Sequence, residues 1–397
     1  MEKPVYLDYS ATTPVDPEVL DAMLPYFNEK FGNASSIHIK GKEARQAVEE
    51  ARQKVADLIN ANTEEIIFTS GGTEADNMAI AGTAEASRDL GNHIVITNIE
   101  HHAVFETCHH LEKQGYAVTF VPVEPDGIVD AEKIRQAVTD ETILISTIYA
   151  NNEIGTIQPI KEIASIALEY GIYSHTDAVQ AIGRNYIDVK DLGVDMLSLT
   201  AHKFYGPKGI GALYIRQGSQ LAPIIYGGGQ ERGLRSGTES VPLIVGFGKA
   251  AEVAKRDMEA EIKRLKPLRD NLVKGVMRNI QGVLLNGSME KRLPNNANFC
   301  FDGVAIEKTG PKEKPEDYFS MSWELNKHGI CASAGAACTA AGVTPSHVLI
   351  ALGRSVDQAQ GALRFSLGKW TTQADIDKTL KELPKLIERL REEKKAQ

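Results

Sequence analysis

Apolar and polar positions in the middle of the chain alternate between two textures. "EIIFTS" (65–70) is a short apolar, β-branched run and is predicted as a strand. "TEADNMAIAGTAEASRDLG" (73–91) has alanine-rich helical periodicity. The alternation continues. "HIVITN" (93–98) predicts a strand and 102–115 a helix. "YAVTFVPV" (116–123) predicts a strand and "DAEKIRQAV" (130–138) a helix. "TILISTIYA" (142–150) predicts a strand and "PIKEIASIALEYG" (159–171) a helix. Three more strand-like runs follow at 173–179, 196–202 and 210–216. Short β-branched runs separated by helix-length segments imply an α/β fold, with a mainly parallel seven-stranded sheet covered on both faces.

The texture changes after Pro242. A long helical stretch runs through "IVGFGKAAEVAKRDMEAEIKRLKPLRDNLVKGV", long enough to connect two domains. Beyond it the chain reads strand, loop and helix, and it ends in a charged amphipathic helix. The expected organisation is a large α/β domain over 15–255. Residues 1–14 and 256–397 form a smaller α+β domain. "EKTGPKEKPED" (307–317) reads as an exposed loop from its proline, glycine and charge.

Net charge is −9, which argues against nucleic acid or an anionic membrane as the main partner. No apolar run approaches a membrane span, and "MEKPVYLDYSATTP" has no signal-peptide core, so a cytoplasmic protein is expected. The four cysteines, Cys108, Cys300, Cys331 and Cys338, show no C-x-x-C or zinc-like spacing, so neither a disulfide framework nor a metal site is expected.

Candidate chemistry gathers where predicted strands end. In "TAHKFYGPKG" (200–209), Lys203 follows a strand, and Asp177 ends another in "SHTDAVQ". Alone, either is an ordinary residue. Together they are the protein's share of pyridoxal 5'-phosphate (PLP) chemistry: a Schiff-base lysine and an aspartate paired with the pyridinium nitrogen. "FTSGGTEADN" (68–77) runs strand, Gly-Gly, helix, and a helix start of that kind attracts a phosphate, although it also reads as a plain N-cap. Four histidines stand in "NIEHHAVFETCHH" (98–110). No carboxylate or cysteine pattern completes a metal site there, so an imidazole stacked on the cofactor ring is the better functional reading for one of the first pair. Asn151 and Asn152 follow a strand, where an amide could reach the ring oxygen or simply build a turn.

With these motifs quoted, the chain resembles the cysteine desulfurases, a branch of the fold-type I, class V aminotransferase-like PLP enzymes. The resemblance is carried in order by "YLDYSATTP", "GNASSIH", "FTSGGTEADN", "EHHAV", "NNEIGTIQP", "HTDAVQ", "AHKFYGPKGIGALY", "GGGQERGLRSGT", "ASAGAACT" and "LRFSLG". It implies that Lys203 is the Schiff-base lysine and Asp177 the pyridinium partner. Gln180 and Asn152 would contact the ring oxygen, and His101 would stack on the ring and shuttle protons. Thr73, the Gly72 backbone, Thr200 and His202 would hold the phosphate, with Thr238 added from the other subunit of a homodimer. Arg364 would clamp the substrate carboxylate, beside Asn152. Cys338 would be the nucleophile that takes sulfur as a persulfide.

The implied reaction converts L-cysteine to L-alanine, with the sulfur passed to an acceptor, for example in iron–sulfur cluster assembly. A thiol of ordinary pKa needs a base or cation beside it to act as thiolate, and His101 is the candidate. Two departures stand out. "SAGAAC" (333–338) carries alanine where the family commonly has serine, and 304–330 is longer than expected by analogy. The altered cysteine loop keeps a selenocysteine lyase open as an alternative. A PLP transaminase or lyase of another substrate class and a non-catalytic PLP-fold binding protein are the other readings.

Overall fold

The computed structural model describes residues 3–304, 321–333 and 345–396. Cys338 and most of the 304–330 segment lie outside them. The chain opens with β1 (Val5–Tyr6), α1 (Pro17–Met23), α2 (Pro25–Asn28) and α3 (Ile39–Ile59). Then come β2 (Ile66–Thr69), α4 (Gly72–Ala86), β3 (His93–Thr97), α5 (His102–Glu112), β4 (Ala117–Val121), α6 (Ala131–Ala137) and β5 (Thr142–Ser146). After these lie α7 (Ile160–Tyr170), β6 (Tyr173–Asp177), α8 (Val189–Leu192), β7 (Met196–Thr200), β8 (Gly211–Ile215) and α9 (Val241–Asn279). The last third holds β9 (Val283–Asn286), β10 (Asn296–Phe301), α10 (Met321–Asn326), β11 (Ile330–Cys331), α11 (His347–Ala351), α12 (Val356–Gln360), β12 (Ala362–Ser366) and α13 (Gln373–Ala396).

The seven expected strands form one sheet in the order β2-β8-β7-β6-β5-β3-β4. Only β8 runs against its neighbours, pairing antiparallel with β2 and β7. Strands β3 to β7 pair in parallel. The fold class is therefore the one expected. The unbroken apolar runs follow from burial on both faces. In β2, Ile66 and Phe68 join the core under α3 and α9, whereas Ile67 joins the opposite core under α4 and α5.

The C-terminal third forms a three-stranded antiparallel sheet, β12-β10-β9. Its phenylalanines, Phe299, Phe301 and Phe365, pack with Leu272 and Val276 of α9 and with Leu383 and Leu390 of α13. The first half of α9, from Val241 to Ala251, instead packs in the core of the large sheet. One helix thus joins both cores. Near the N-terminus, β1 pairs with β11, and Asp8 bridges to Ser366 of β12. No helix among the described residues is long and apolar enough to cross a membrane.

Candidate active site

Parallel strands bring their carboxyl ends to one edge, where open α/β sheets bind ligands. Here the segments after β2, β3, β5, β6 and β7 meet around a cavity of about 220 Å³, lined by Lys203, Asp177, His101 and Arg364 among others. Gly72, Thr73, Asn152, Gln180, Thr200 and His202 line it as well. Ten of the twelve residues expected in the site therefore share one cavity. Thr238 does not: it lies in a separate depression with Ser70, Arg235 and Glu239. Cys338 lies outside the described residues.

Asp177 ends β6, and its Oδ1 accepts the Val179 N–H at 2.9 Å, which fixes the carboxyl in place. Burial pushes it up to about 6, against the pull of Lys203. Lys203 sits in a 3-10 turn directly after β7. Its Nζ donates to the carbonyls of Ser10 and Ala11 at 2.6 and 2.9 Å, so the N-terminal segment forms one wall of the cavity. Buried Arg184 donates to the Lys203 carbonyl at 2.8 Å and to the Tyr9 carbonyl at 3.0 Å, which ties those two walls together.

His101 caps α5, and its Nδ1 accepts the Ala103 N–H at 3.1 Å. An accepting Nδ1 leaves the proton of the neutral ring on Nε2. Burial first, then the charge of Lys203, lowers its pKa to about 4, so the ring is neutral at physiological pH. Burial and the same lysine lower His202 to about 4. His202 is held by Thr12 Oγ1 at 3.1 Å from its Nδ1.

Gly72 opens α4, and the preceding residue, Gly71, supplies no side-chain cap. The first amides of α4 are therefore open to an anion. A Cβ on Gly72 would come within 2.7 Å of Val179 Cγ2, so the close approach of β6 and α4 requires glycine there. Of the two asparagines, Asn151 is spent on structure. Its Nδ2 donates to Ile99 O, and its Oδ1 accepts the N–H groups of Glu153 and Ile154. Asn152 alone lines the cavity. Gln180 donates to Ser10 O at 3.0 Å, and its Oε1 accepts from Arg184 at 3.3 Å.

Arg364 is 1% exposed on β12. It donates to Asn152 O at 2.9 Å and to Asp8 Oδ1 at 2.8 Å. Its Nε is buried and has no hydrogen-bond partner among the described residues. Arg364 lines the cavity, and a guanidinium held in place is suited to meet a ligand carboxylate there. Ser333 pairs with Arg364 backbone to backbone, and Ser346 donates to Glu153 Oε2 at 2.7 Å. Ser333 and Ser346, on either side of segment 334–344, are thus anchored at this end of the molecule.

Sequence reasoning missed Asp76, Ser10, Ala11 and Val179 in the lining. The backbone contributions of Ser10 and Ala11 leave no mark in a side-chain pattern. Asp76 had a signal, since it follows Thr73 by one helical turn and so faces the same way. Ligand atoms of Asp76, His101 and Asp177 all lie within 4.8 Å of one another.

The class-V aminotransferase family model matches residues 5–379. A cysteine desulfurase IscS from Dictyoglomus turgidum is 51% identical, over 98% of this chain and 96% of its own. A second, from Methanosarcina thermophila, is 51% identical over 98% of this chain and 93% of its own. Among solved structures, a NifS-like protein superposes with a TM-score of 0.87 at 38% identity, covering 97% of this chain and 100% of its own. SspA in complex with cysteine gives 0.78 at 36% identity, covering 93% of this chain and 100% of its own. The chain belongs to the class-V aminotransferase family, in its cysteine desulfurase branch.

Proposed function

We propose that this protein is a PLP-dependent cysteine desulfurase that converts L-cysteine to L-alanine and carries the sulfur away as a persulfide on Cys338. The observation that carries this reading is the shared cavity. An amine, a buried carboxylate and an arginine face one space at the strand ends.

The cavity fits PLP. The open first turn of α4 suits its phosphate, with Thr73, Thr200 and His202 beside it. Buried Asp177 suits its ring nitrogen, and Lys203 is the amine that would hold it. When bound, PLP withdraws electrons from the substrate α-carbon.

This chain's residues do the rest. Arg364 takes the substrate carboxylate, and its bonds to Asp8 and Asn152 fix the plane of the guanidinium. Lys203 removes the proton at the α-carbon. The Cys338 thiolate attacks the substrate sulfur: an S–S bond forms and the C–S bond breaks. Its electrons stay on carbon, which takes up a proton to give alanine. His101, neutral and protonated on Nε2, can return a proton from that atom but carries no positive charge with which to stabilise a thiolate. With Nδ1 taken by the Ala103 N–H and the proton on Nε2, its part in this state is to donate from Nε2.

The same reading includes a homodimer, a sulfur-acceptor protein and a cytoplasmic setting. The separate position of exposed Thr238 supports the dimer. Unpaired Cys108, Cys300 and Cys331 support a reducing compartment.

The test is alanine and sulfide release from L-cysteine with a thiol reductant, measured for the wild type and for Cys338→Ala, with L-selenocysteine in parallel. The wild type should release both products from cysteine, and Cys338→Ala should lose this turnover by at least about a hundredfold. Full turnover of cysteine by Cys338→Ala would overturn the persulfide route, and turnover of selenocysteine alone would overturn the substrate.

A further inference from the structure

We propose that Asp76 is a positioning residue of the cofactor site: a neutral carboxylic acid that stands beside Asp177 and leaves Asp177 as the one ionised carboxylate facing the cofactor's ring nitrogen. The inference rests on the PLP reading above and concerns only this chain's own acids.

Asp76 lies in the first turns of α4, lines the cavity and is 1% exposed. Its Oδ1 has no hydrogen-bond partner among the described residues. From β6 it faces Asp177 and His175, the latter with Nε2 at 3.7 Å. From β7 it faces Ser198, and from the residues entering α5 it faces Glu100 and His101. None of these supplies a cation. His175 is buried, and its two ring nitrogens are engaged by Ser146 Oγ at 2.8 Å and Ser198 Oγ at 2.9 Å. Burial lowers it to about 3, so it is neutral and the 3.7 Å approach is not an ion pair.

Two carboxyl groups this close in a dry interior cannot both ionise without a large cost. The asymmetry between them decides which keeps the proton. Asp177 has a backbone N–H on one oxygen and the charge of Lys203 nearby, both of which favour its ionised form. Asp76 has one bare oxygen and two acids for neighbours; burial first, then Asp177, pushes it well above the usual carboxylate range, and a bond from the Ser198 hydroxyl offsets this only in part. A carboxyl with an unsatisfied oxygen is far cheaper to bury neutral than charged. The proton therefore stays on Asp76, and a single negative charge is left for the ring nitrogen. Were Asp76 also ionised, the ring nitrogen would face two carboxylates, and the proton affinity of the whole group would rise.

The test uses PLP-loaded protein and two readouts besides turnover. The first is the infrared band of protonated carboxyls at pH 7, compared between wild type and Asp76→Asn in a Glu100→Gln/Glu153→Gln background, which removes the other two buried acids of this region. The second is PLP affinity and the pH titration of the bound cofactor's visible absorption. Asp76→Asn copies the neutral acid, so affinity at pH 7 should stay within about threefold. The protonated-carboxyl band should vanish, and the alkaline change in the cofactor spectrum that accompanies ionisation of Asp76 should go with it. Persistence of the band in Asp76→Asn, or a loss of affinity at pH 7 of about tenfold or more in a folded variant, would show a charged Asp76 and overturn the inference. Should Asp76→Asn not fold, the background protein alone decides: absence of a protonated-carboxyl band at pH 7 overturns it equally. A protein that binds no PLP at all would instead sink the functional reading.

Discussion

At the scale of single residues, the fold accepts a heavy load of buried acid to build this site. Glu100 is fully buried. Its Oε1 accepts from Thr97 and from the Ile148 N–H, and its Oε2 has no partner among the described residues. Burial pushes it up to about 8. The sign of the consequence follows from linkage. The unfolded chain ionises this group near its ordinary value of 4.5, the folded chain only near 8. Between those values the folded state holds more protons, so stability falls as pH rises through the window. The loss from this one group is about 4–5 kcal/mol across it. Glu100→Gln keeps the acceptor oxygen and removes the titration. Denaturant unfolding at pH 5, 6.5 and 8 should show a slope for the wild type and a flatter profile for Glu100→Gln; equal slopes would refute the assignment. Residues like this were the illegible part of the sequence. Lys203 and Asp177 could be found because together, at the ends of two apolar strands, they are the lysine and carboxylate that PLP chemistry requires. Glu100 carries no mark in the sequence that sets it apart from an exposed acid, and Asp76 carries only its helical spacing from Thr73; burial distinguishes both. Arg364 came from resemblance alone, because its site depends on β12 meeting the N-terminal segment, a contact between residues 356 positions apart.

At the scale of elements, apolar periodicity located all seven strands of the large sheet and, between them, α4, α5, α6 and α7 but not the short α8. It overran where buried loops stay apolar. The expected strand over 142–150 stops at Ser146, although Ile148 and Tyr149 are both buried. It gave no reading of α1 to α3, whose small residues, Ala44, Ala47 and Ala51, pack closely against α9. Gly248 shows how closely, since a Cβ there would meet Ala51 Cα at 2.6 Å. The start of α4 uses the same device for function. A Cβ on Gly72 collides with Val179, a short branched side chain that has little room to yield. Gly72→Ala should therefore shift the open first turn of α4 away from Thr200. Overpacking of this kind costs about 1–3 kcal/mol. Felt mainly at the phosphate, it lowers PLP affinity roughly tenfold. Titration of apo protein with PLP checks this, and unchanged affinity would mean that the α4 turn does not hold the phosphate.

At the scale of the whole molecule, the unexplained feature is Thr238. It is exposed, and it lies on a loop that the protein holds firmly. Buried Glu231 takes two bonds from Arg52, at 2.7 and 2.8 Å, and the Phe68 N–H at 2.8 Å. That grip sustains left-handed backbone at both Glu231 and Arg232, which non-glycine residues rarely adopt. A loop fixed at such cost, with its threonine facing a depression apart from the chain's own Lys203 cavity, suits a contact made to another copy. The apolar surface also argues for a second copy. Ile37 is 91% exposed and Ile39 81%, with Phe27 and Phe31 also exposed nearby in the chain. In a two-fold dimer whatever one protomer lends, the other returns. Mixing therefore separates the two cases. On the proposed dimer, Lys203→Ala and Thr238→Val should each impair cofactor binding in their own homodimers. In the mixed dimer, a threonine acting across the interface gives one site with both defects and one with neither. PLP binding and turnover should then return to about half the wild-type value per dimer. If Thr238 serves its own chain, both sites of the mixed dimer stay defective and nothing returns. Recovery on mixing, read against the two parent variants at equal concentration, thus decides whether the active site is built by one chain or by two.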